Sequence, residues 1–109
     1  MSYRIVIVTD AWHPQVNGVV RTLTTLTEHL VAAGYETATI TPDQFRTVPC
    51  PTYPEIRLAI LPGRRMAQMI EQFHPCVVHI ATEGPIGLAA RNYCVRRGVP
   101  FTTAFHTKF

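Results

Sequence analysis

The 109-residue sequence predicts an α/β domain, a Rossmann-like parallel sheet with helices on both faces. Three observations predict it. The short, continuously apolar, β-branched runs "YRIVIVT" (3–9) and "HPCVVHIAT" (74–82) read as strands covered on both sides. Other stretches place apolar residues at three- and four-residue spacing, the mark of an amphipathic helix. The two kinds of segment alternate, and right-handed crossovers turn that alternation into a parallel sheet with helices on both faces.

"YRIVIVT" is the first strand. Val19, Leu23, Leu26 and Leu30 then form one helical stripe, and Gly34 suits the left-handed position that closes a helix. Four threonines lower the helix propensity of this stretch, so packing must hold it. "TATIT" (37–41) is the second strand. Residues 42–56, "PDQFRTVPCPTYPEI", hold four prolines and read as an ordered loop, to which Phe45, Val48, Tyr53 and Ile56 give side chains that pack. "RLAIL" (57–61) is a short strand. In "PGRRMAQMIEQF", Met66, Met69, Ile70 and Phe73 recur at helical spacing, and core packing is the expected use of the methionines. After the strand at 74–82, Pro85 suits the first position of a helix whose stripe is Ile86, Ala89, Ala90, Tyr93 and Cys94, closed by Gly98. "VPFTTAF" (99–105) is the last strand.

An apolar content of 47% supplies a core for one domain, and the net charge of +3 is mild. The short clusters Arg64-Arg65 and Arg96-Arg97 read as a solvated face or, more sharply, as contacts for an anionic partner such as a lipid surface or a phosphate. No zinc finger, RNP motif or basic stripe is present, which argues against nucleic acid. Cys50, Cys76 and Cys94 are odd in number and lack CxxC spacing, which fits a reducing compartment and argues against a disulfide framework or a zinc site. The N-terminus lacks the pattern of a signal peptide, and no apolar run nears the roughly 20 residues that span a bilayer. A cytoplasmic location is expected.

Ligands of open parallel sheets bind outside the carboxyl ends of the strands. Three segments emerge there: Asp10 to Gly18, Thr82 to Pro85, and His106 to Phe109. Gly18 lies where a loop meets a helix, so free N–H groups and the helix dipole favour an anion. Asn17 beside it serves equally as a helix cap, and "NG" is a common turn. The loop lacks the three glycines of GxGxxG, so a dinucleotide is disfavoured. Gly84-Pro85 opens a second helix. Glu83 either accepts hydrogen bonds from sugar hydroxyls or simply favours the positive end of that helix. Asp10 either orients its loop or meets a substrate hydroxyl. His106 directly follows a strand, His13 lies in the first loop, His79 is expected in the core, and His29 and His74 at the surface. No histidine pair has metal-site spacing, so no metal is expected, and no GxSxG elbow offers a serine nucleophile. No resident cofactor is expected.

The four segments "DAWHPQVNGVVRTL", "PTYPEIRLAI", "VHIATEGPIGLAAR" and "FTTAFHTKF" together resemble the N-terminal half of a GT-B glycosyltransferase. The chain is similar to family 4, the retaining "group 1" enzymes, and within it to the bacterial branch that mannosylates or glucosylates lipids and glycolipids. The resemblance implies a hexose moved from a nucleotide-diphosphate sugar, GDP- or UDP-linked, to an acceptor hydroxyl. It implies that Gly18, with Asn17, approaches the donor diphosphate. His106 matches the family's histidine near the donor sugar and scissile bond, and Thr107 follows it. Thr82, Glu83 and Gly84 would line the cleft near donor sugar or acceptor, and Asp10 and His13 would face the acceptor.

Residues 1–109 are then expected to be part of an N-terminal, acceptor-side domain. The family's donor-binding domain, with its diphosphate-holding basic residues and E-x7-E-type motif, is not in this sequence. The piece alone is expected to be inactive, and an open sheet edge favours self-association. Peripheral membrane contact also follows from the resemblance. The competing reading is a stand-alone flavodoxin- or response-regulator-like binding module, although Asp10 lacks the acidic neighbours of a phosphoryl-accepting site.

Overall fold

The structure, a computed structural model, describes residues 3–10, 18–49, 51, 57–82 and 84–103. Among the described residues, six strands and three α-helices follow in order: β1 (Arg4–Val8), α1 (Gly18–Ala32), β2 (Glu36–Ile40), β3 (Thr47–Pro49), β4 (Arg57–Ala59), α2 (Gly63–Phe73), β5 (Val77–Ile80), α3 (Pro85–Arg97) and β6 (Phe101–Thr103). Four strands make a parallel sheet in the order β2-β1-β5-β6. The doubly wound α/β class expected from the sequence is the fold observed.

Val6, Ile7 and Val8 are fully buried. Since side chains alternate along a strand, both faces of β1 must be covered. Val6 and Val8 join Val78 and Ile80 of β5 in one cluster with Met66 and Ile70 of α2 and Ile86 and Ala90 of α3. Ile7, facing the other way, and Leu23 of α1 are buried outside that cluster. Burying a side chain of this size contributes about 1.5–3 kcal/mol, so the α2/α3 face carries most of the core.

Local chemistry fixes where the helices stop. Gly34 (φ +96°) and Gly98 (φ +70°) take the left-handed conformation that ends α1 and α3. In α1 one threonine is accommodated by back-bonding, Thr27 Oγ1 donating to the Leu23 carbonyl at 2.9 Å. Helix α2 ends at His74, also left-handed (φ +52°), and is capped from afar by Arg4. The Arg4 guanidinium donates through Nε to the Phe73 carbonyl at 2.7 Å and lies 4.1 Å from the centre of the Phe73 ring. Its pair with Glu36 at 3.0 Å is solvent-exposed and adds at most about 1 kcal/mol. Helices α2 and α3 are joined where Tyr93 donates to Glu71 at 3.1 Å. Burial, with help from Glu71, raises the Tyr93 pKa. Burial also pushes the Cys94 thiol up to about 11, which suits its place in the core.

The segment 42–56 departs from the expected plain loop. A 3-10 turn (Pro42–Gln44) is followed by β3, which pairs antiparallel with β4 outside the main sheet. Phe45 packs against the core as expected, but Val48 is exposed because the hairpin turns its side chain to solvent. Residues Tyr53 and Ile56, the side chain of Val19 and the end of the last strand lie outside the described residues.

His79 is a second correction. It is half-buried rather than a core residue, because the face of β5 that it occupies is only partly covered. Its Nδ1 meets Thr102 Oγ1 of β6 at 2.7 Å. His29 and His74 are exposed, as expected.

Burial lowers the His79 pKa from 6.5, so the fold favours the neutral ring. The stability this contributes is fully present above the unfolded value and is lost as pH falls below 6.5 through the lower folded value. The loss should be well under the single-proton limit of about 1.4 kcal/mol per pH unit, because the ring is half exposed. Urea titrations of the native chain and of His79→Gln between pH 7.5 and 5 should therefore converge on acidification. A constant gap between the two curves would exclude this linkage.

Candidate functional site

The carboxyl edge of the sheet is assembled around Asp10. Strands β1 and β5 are parallel neighbours, and their pairing extends past β5 through the Ala81 N–H, which donates to the Val8 carbonyl at 2.8 Å. Asp10 and Thr82 therefore leave the sheet side by side. The Asp10 N–H donates to Thr82 Oγ1 at 2.7 Å, and Thr82 Oγ1 donates back to Asp10 Oδ2 at 2.7 Å. The Ile86 N–H donates to Asp10 Oδ1 at 2.9 Å and the Gly87 N–H to Oδ2 at 3.2 Å.

Asp10 thus caps α3 from another strand. Proline at position 85 has no N–H, Ile86 and Gly87 give theirs to the carboxylate, and the Leu88 N–H makes the first helical bond, to Gly84 at 2.9 Å. The N–H groups of Ile86, Gly87 and Leu88 are thus all satisfied. The contacts are charge-assisted and part-buried, a setting in which such bonds are worth about 1.5–3 kcal/mol each.

Two glycines make this approach possible. A Cβ on Gly84 would fall on the Asp10 carboxylate, and one on Gly87 would fall on the Thr82 carbonyl oxygen. Gly87 lies within "VHIATEGPIGLAAR" but has no role among the residues expected at the site. Its signal is a glycine inside a helical stretch, which costs about 1 kcal/mol against alanine and so calls for a packing reason.

Of the expected site residues, the structure brings Asp10, Thr82 and Gly84 together. Gly18 is the first residue of α1, the next described element after β1, and no acidic residue lies in the first turn of that helix. His13, Asn17, Glu83, His106 and Thr107 lie outside the described residues. Among the described residues, no three His, Cys, Asp or Glu side chains gather as a metal site would require. No described helix is long and apolar enough to cross a membrane.

Beside this edge, an open groove of about 690 Å³ runs between the start of α2 and the outer face of α3. Leu61, Leu88, Val95, Arg91 and Arg96 line it. Leu61 is 95% exposed and holds a left-handed backbone (φ +44°) that a leucine rarely adopts.

Residues 16–109 match the family model described as Glycosyltransferase Family 4. Two similar proteins are each named GDP-mannose-dependent alpha-mannosyltransferase, one from Mycobacterium tuberculosis (strain CDC 1551 / Oshkosh) and one from Mycolicibacterium smegmatis (strain ATCC 700084 / mc(2)155). Each is 30% identical over 121 residues, covering 95% of this chain and 32% of the relative. The chain therefore spans about a third of the length of these curated relatives. No solved structure matches it with significance.

The two glycine environments give a paired test. Gly87→Ala should destabilise the chain by about 2 kcal/mol or more, since overpacking against a backbone carbonyl exceeds the gain in helix propensity. Gly63→Ala, at the start of α2 with nothing within 4 Å of the new methyl, should be neutral or stabilising by up to about 1 kcal/mol. Equal urea midpoints for both variants would show that the close approach at Gly87 is absent.

Proposed function

The chain belongs to glycosyltransferase family 4, and from that premise we propose that it is the N-terminal, acceptor-side part of a retaining hexosyltransferase. The donor proposed is GDP-mannose, and the acceptor a hydroxyl of a lipid or glycolipid. The observation that carries this reading is likeness over 95% of the chain to two proteins named GDP-mannose-dependent alpha-mannosyltransferase. UDP-glucose is the alternative donor that the sequence resemblance leaves open.

The chemistry assigns this part a supporting role. Loss of a nucleoside diphosphate needs N–H groups and cations aimed at the departing charge. In this proposal Gly18 and Asn17 form the near wall for the diphosphate, with most of the cationic stabilisation supplied across the cleft by a donor-binding domain. His106 and Thr107 stand near the donor sugar, His13 near the acceptor, and Thr82, Glu83 and Gly84 at the cleft wall. No metal or resident cofactor is assigned.

A cytoplasmic place against the inner face of a membrane is part of the same proposal. It is supported by the groove beside α3, where exposed Leu61, Leu88 and Val95 adjoin Arg91 and Arg96. Exposed apolar side chains rimmed by cations suit an anionic bilayer surface. Flotation with phosphatidylglycerol vesicles should recover the chain at low salt and recover several-fold less of Leu61→Asp. Equal recovery of both would remove this face from the contact.

Whole enzyme carrying this sequence should transfer mannose from GDP-mannose to a lipid extract, and Gly18→Leu or His106→Ala should each lose most of that transfer while remaining folded. The 109-residue chain alone should bind GDP-mannose weakly in calorimetry. Micromolar binding by the isolated chain, or wild-type rates in either variant, would contradict the roles assigned here.

A further inference from the structure

The two faces of the main sheet are covered unequally. Helices α2 and α3 both lie over the face that holds Val6, Val8, Val78 and Ile80. On the other face α1 is the one described helix, and it packs on β2. The strand register fixes what that face carries toward β6: Ile5 and Ile7 lie beside Val77 and His79 of β5, and His79 lies beside Thr102. Ile7 is fully buried, Val77 and His79 are partly buried, and Thr102 is exposed. Cover thus falls away from β1 to β6. Helix α1 is itself loosely seated, for Leu23 is buried while Leu26 and Leu30 are only partly so. An all-parallel sheet is normally buried on both faces. Handedness limits what can complete the cover. The crossover from β1 to β2 puts α1 on this face, and the crossovers running the other way, to β5 and β6, put α2 and α3 on the opposite one. A further strand added beside β6 would continue in the α3 direction, so its helix would also lie on the α2/α3 face.

We propose that the α1-side face of β5 and β6 is an internal docking surface of a longer protein, covered by an apolar helix from outside residues 1–109 that does not arrive by a crossover beside β6. The proposal rests on reading the chain as one part of a longer enzyme, and not on sugar transfer. About two thirds of each relative lies outside the stretch that this chain matches, which is ample chain to supply such a helix. The surface sets the chemistry of its occupant. Its floor of Ile5, Val77, His79 and Thr102 carries no fixed charge, and burial already lowers the His79 pKa and favours the neutral ring. A charged side chain pressed onto this floor would be desolvated without a partner, so the facing side of the helix is apolar. His79 Nδ1 is engaged by Thr102 Oγ1 at 2.7 Å, which leaves Nε2 as the ring atom that a covering helix must satisfy. One hydroxyl at that point suits either tautomer, because it both donates and accepts.

Cysteine labelling tests this in the 109-residue chain and in whole enzyme carrying its sequence. Cys50→Ser and Cys76→Ser first remove the native thiols other than the buried Cys94. Thr102→Cys then places a thiol on the half-covered face, and Thr25→Cys places one at an exposed position of α1. In the chain alone both should react with a maleimide at similar rates. In the whole enzyme Thr102→Cys should react slower by about ten-fold or more, since the thiol is reached only when the helix lifts, and Thr25→Cys should keep its rate. Charge gives a second readout. Thr102→Lys should leave the Tm of the chain nearly unchanged and lower that of the whole enzyme, where the ammonium is forced under the helix. Equal labelling of Thr102→Cys in chain and whole enzyme would overturn the proposal. Slow labelling in the chain alone would overturn it too: if dilution leaves the rate slow, the chain covers its own face, and if dilution restores it, the occupant is a second copy. None of these readouts needs sugar transfer, so they stand or fall apart from the enzymatic reading.

Discussion

Consecutive residues of a strand point to opposite faces, so the complete burial of Val6, Ile7 and Val8 requires cover on both sides of β1. A single helix cannot supply it. The chain answers by leaving β1 in one direction through α1 to β2, and by returning across it through α2 to β5. Right-handed crossovers of opposite sense place their helices on opposite faces, which is why Ile7 and Leu23 lie outside the cluster that holds Val6, Val8, Met66 and Ile86. The same reversal puts the carboxyl ends of β1 and β5 side by side. A cleft at that edge follows from burying β1.

Polar accounting then decides what occupies the edge. Where β1 and β5 end, backbone donors lose their ladder partners and must find others. Asp10 and Thr82 satisfy each other, and the carboxylate goes on to satisfy α3. Arg4 does the matching task at the other end of β1 by donating to the last carbonyl of α2. One strand therefore caps the N-terminus of one helix and the C-terminus of another, each with the charge that the helix dipole favours. The orientation of the two helices against the sheet is fixed by polar contacts as well as by the apolar cluster between them.

Much of this was legible in the sequence because it is local. Pro85 and Gly98 bound α3 as read, and Gly34 closes the turn after α1, since each acts through backbone restrictions within a few residues. Strand β4 is legible within "RLAIL", but its partner β3 is not. β3 is three residues long, too short for alternation to register, and it ends in Pro49, which an edge strand tolerates. The half-buried state of His79 is not legible, because a strand pattern reports which residues alternate, not how fully each face is covered. The partners of Asp10 lie 72 to 77 residues away in sequence, beyond any periodicity. A trace of that contact does exist in the spacing of Gly84 and Gly87, two glycines opening a helix that needs only one.

The stretch from β1 into α1 carries one glycine where a dinucleotide site carries three, and the glycines of close backbone approach lie at α3 instead. A fingerprint of three glycines lets one loop wrap a pyrophosphate, which requires close backbone approach and a vacant helix start in the same place. Here the glycines that permit close backbone approach, Gly84 and Gly87, serve α3, and the object they admit is the protein's own carboxylate.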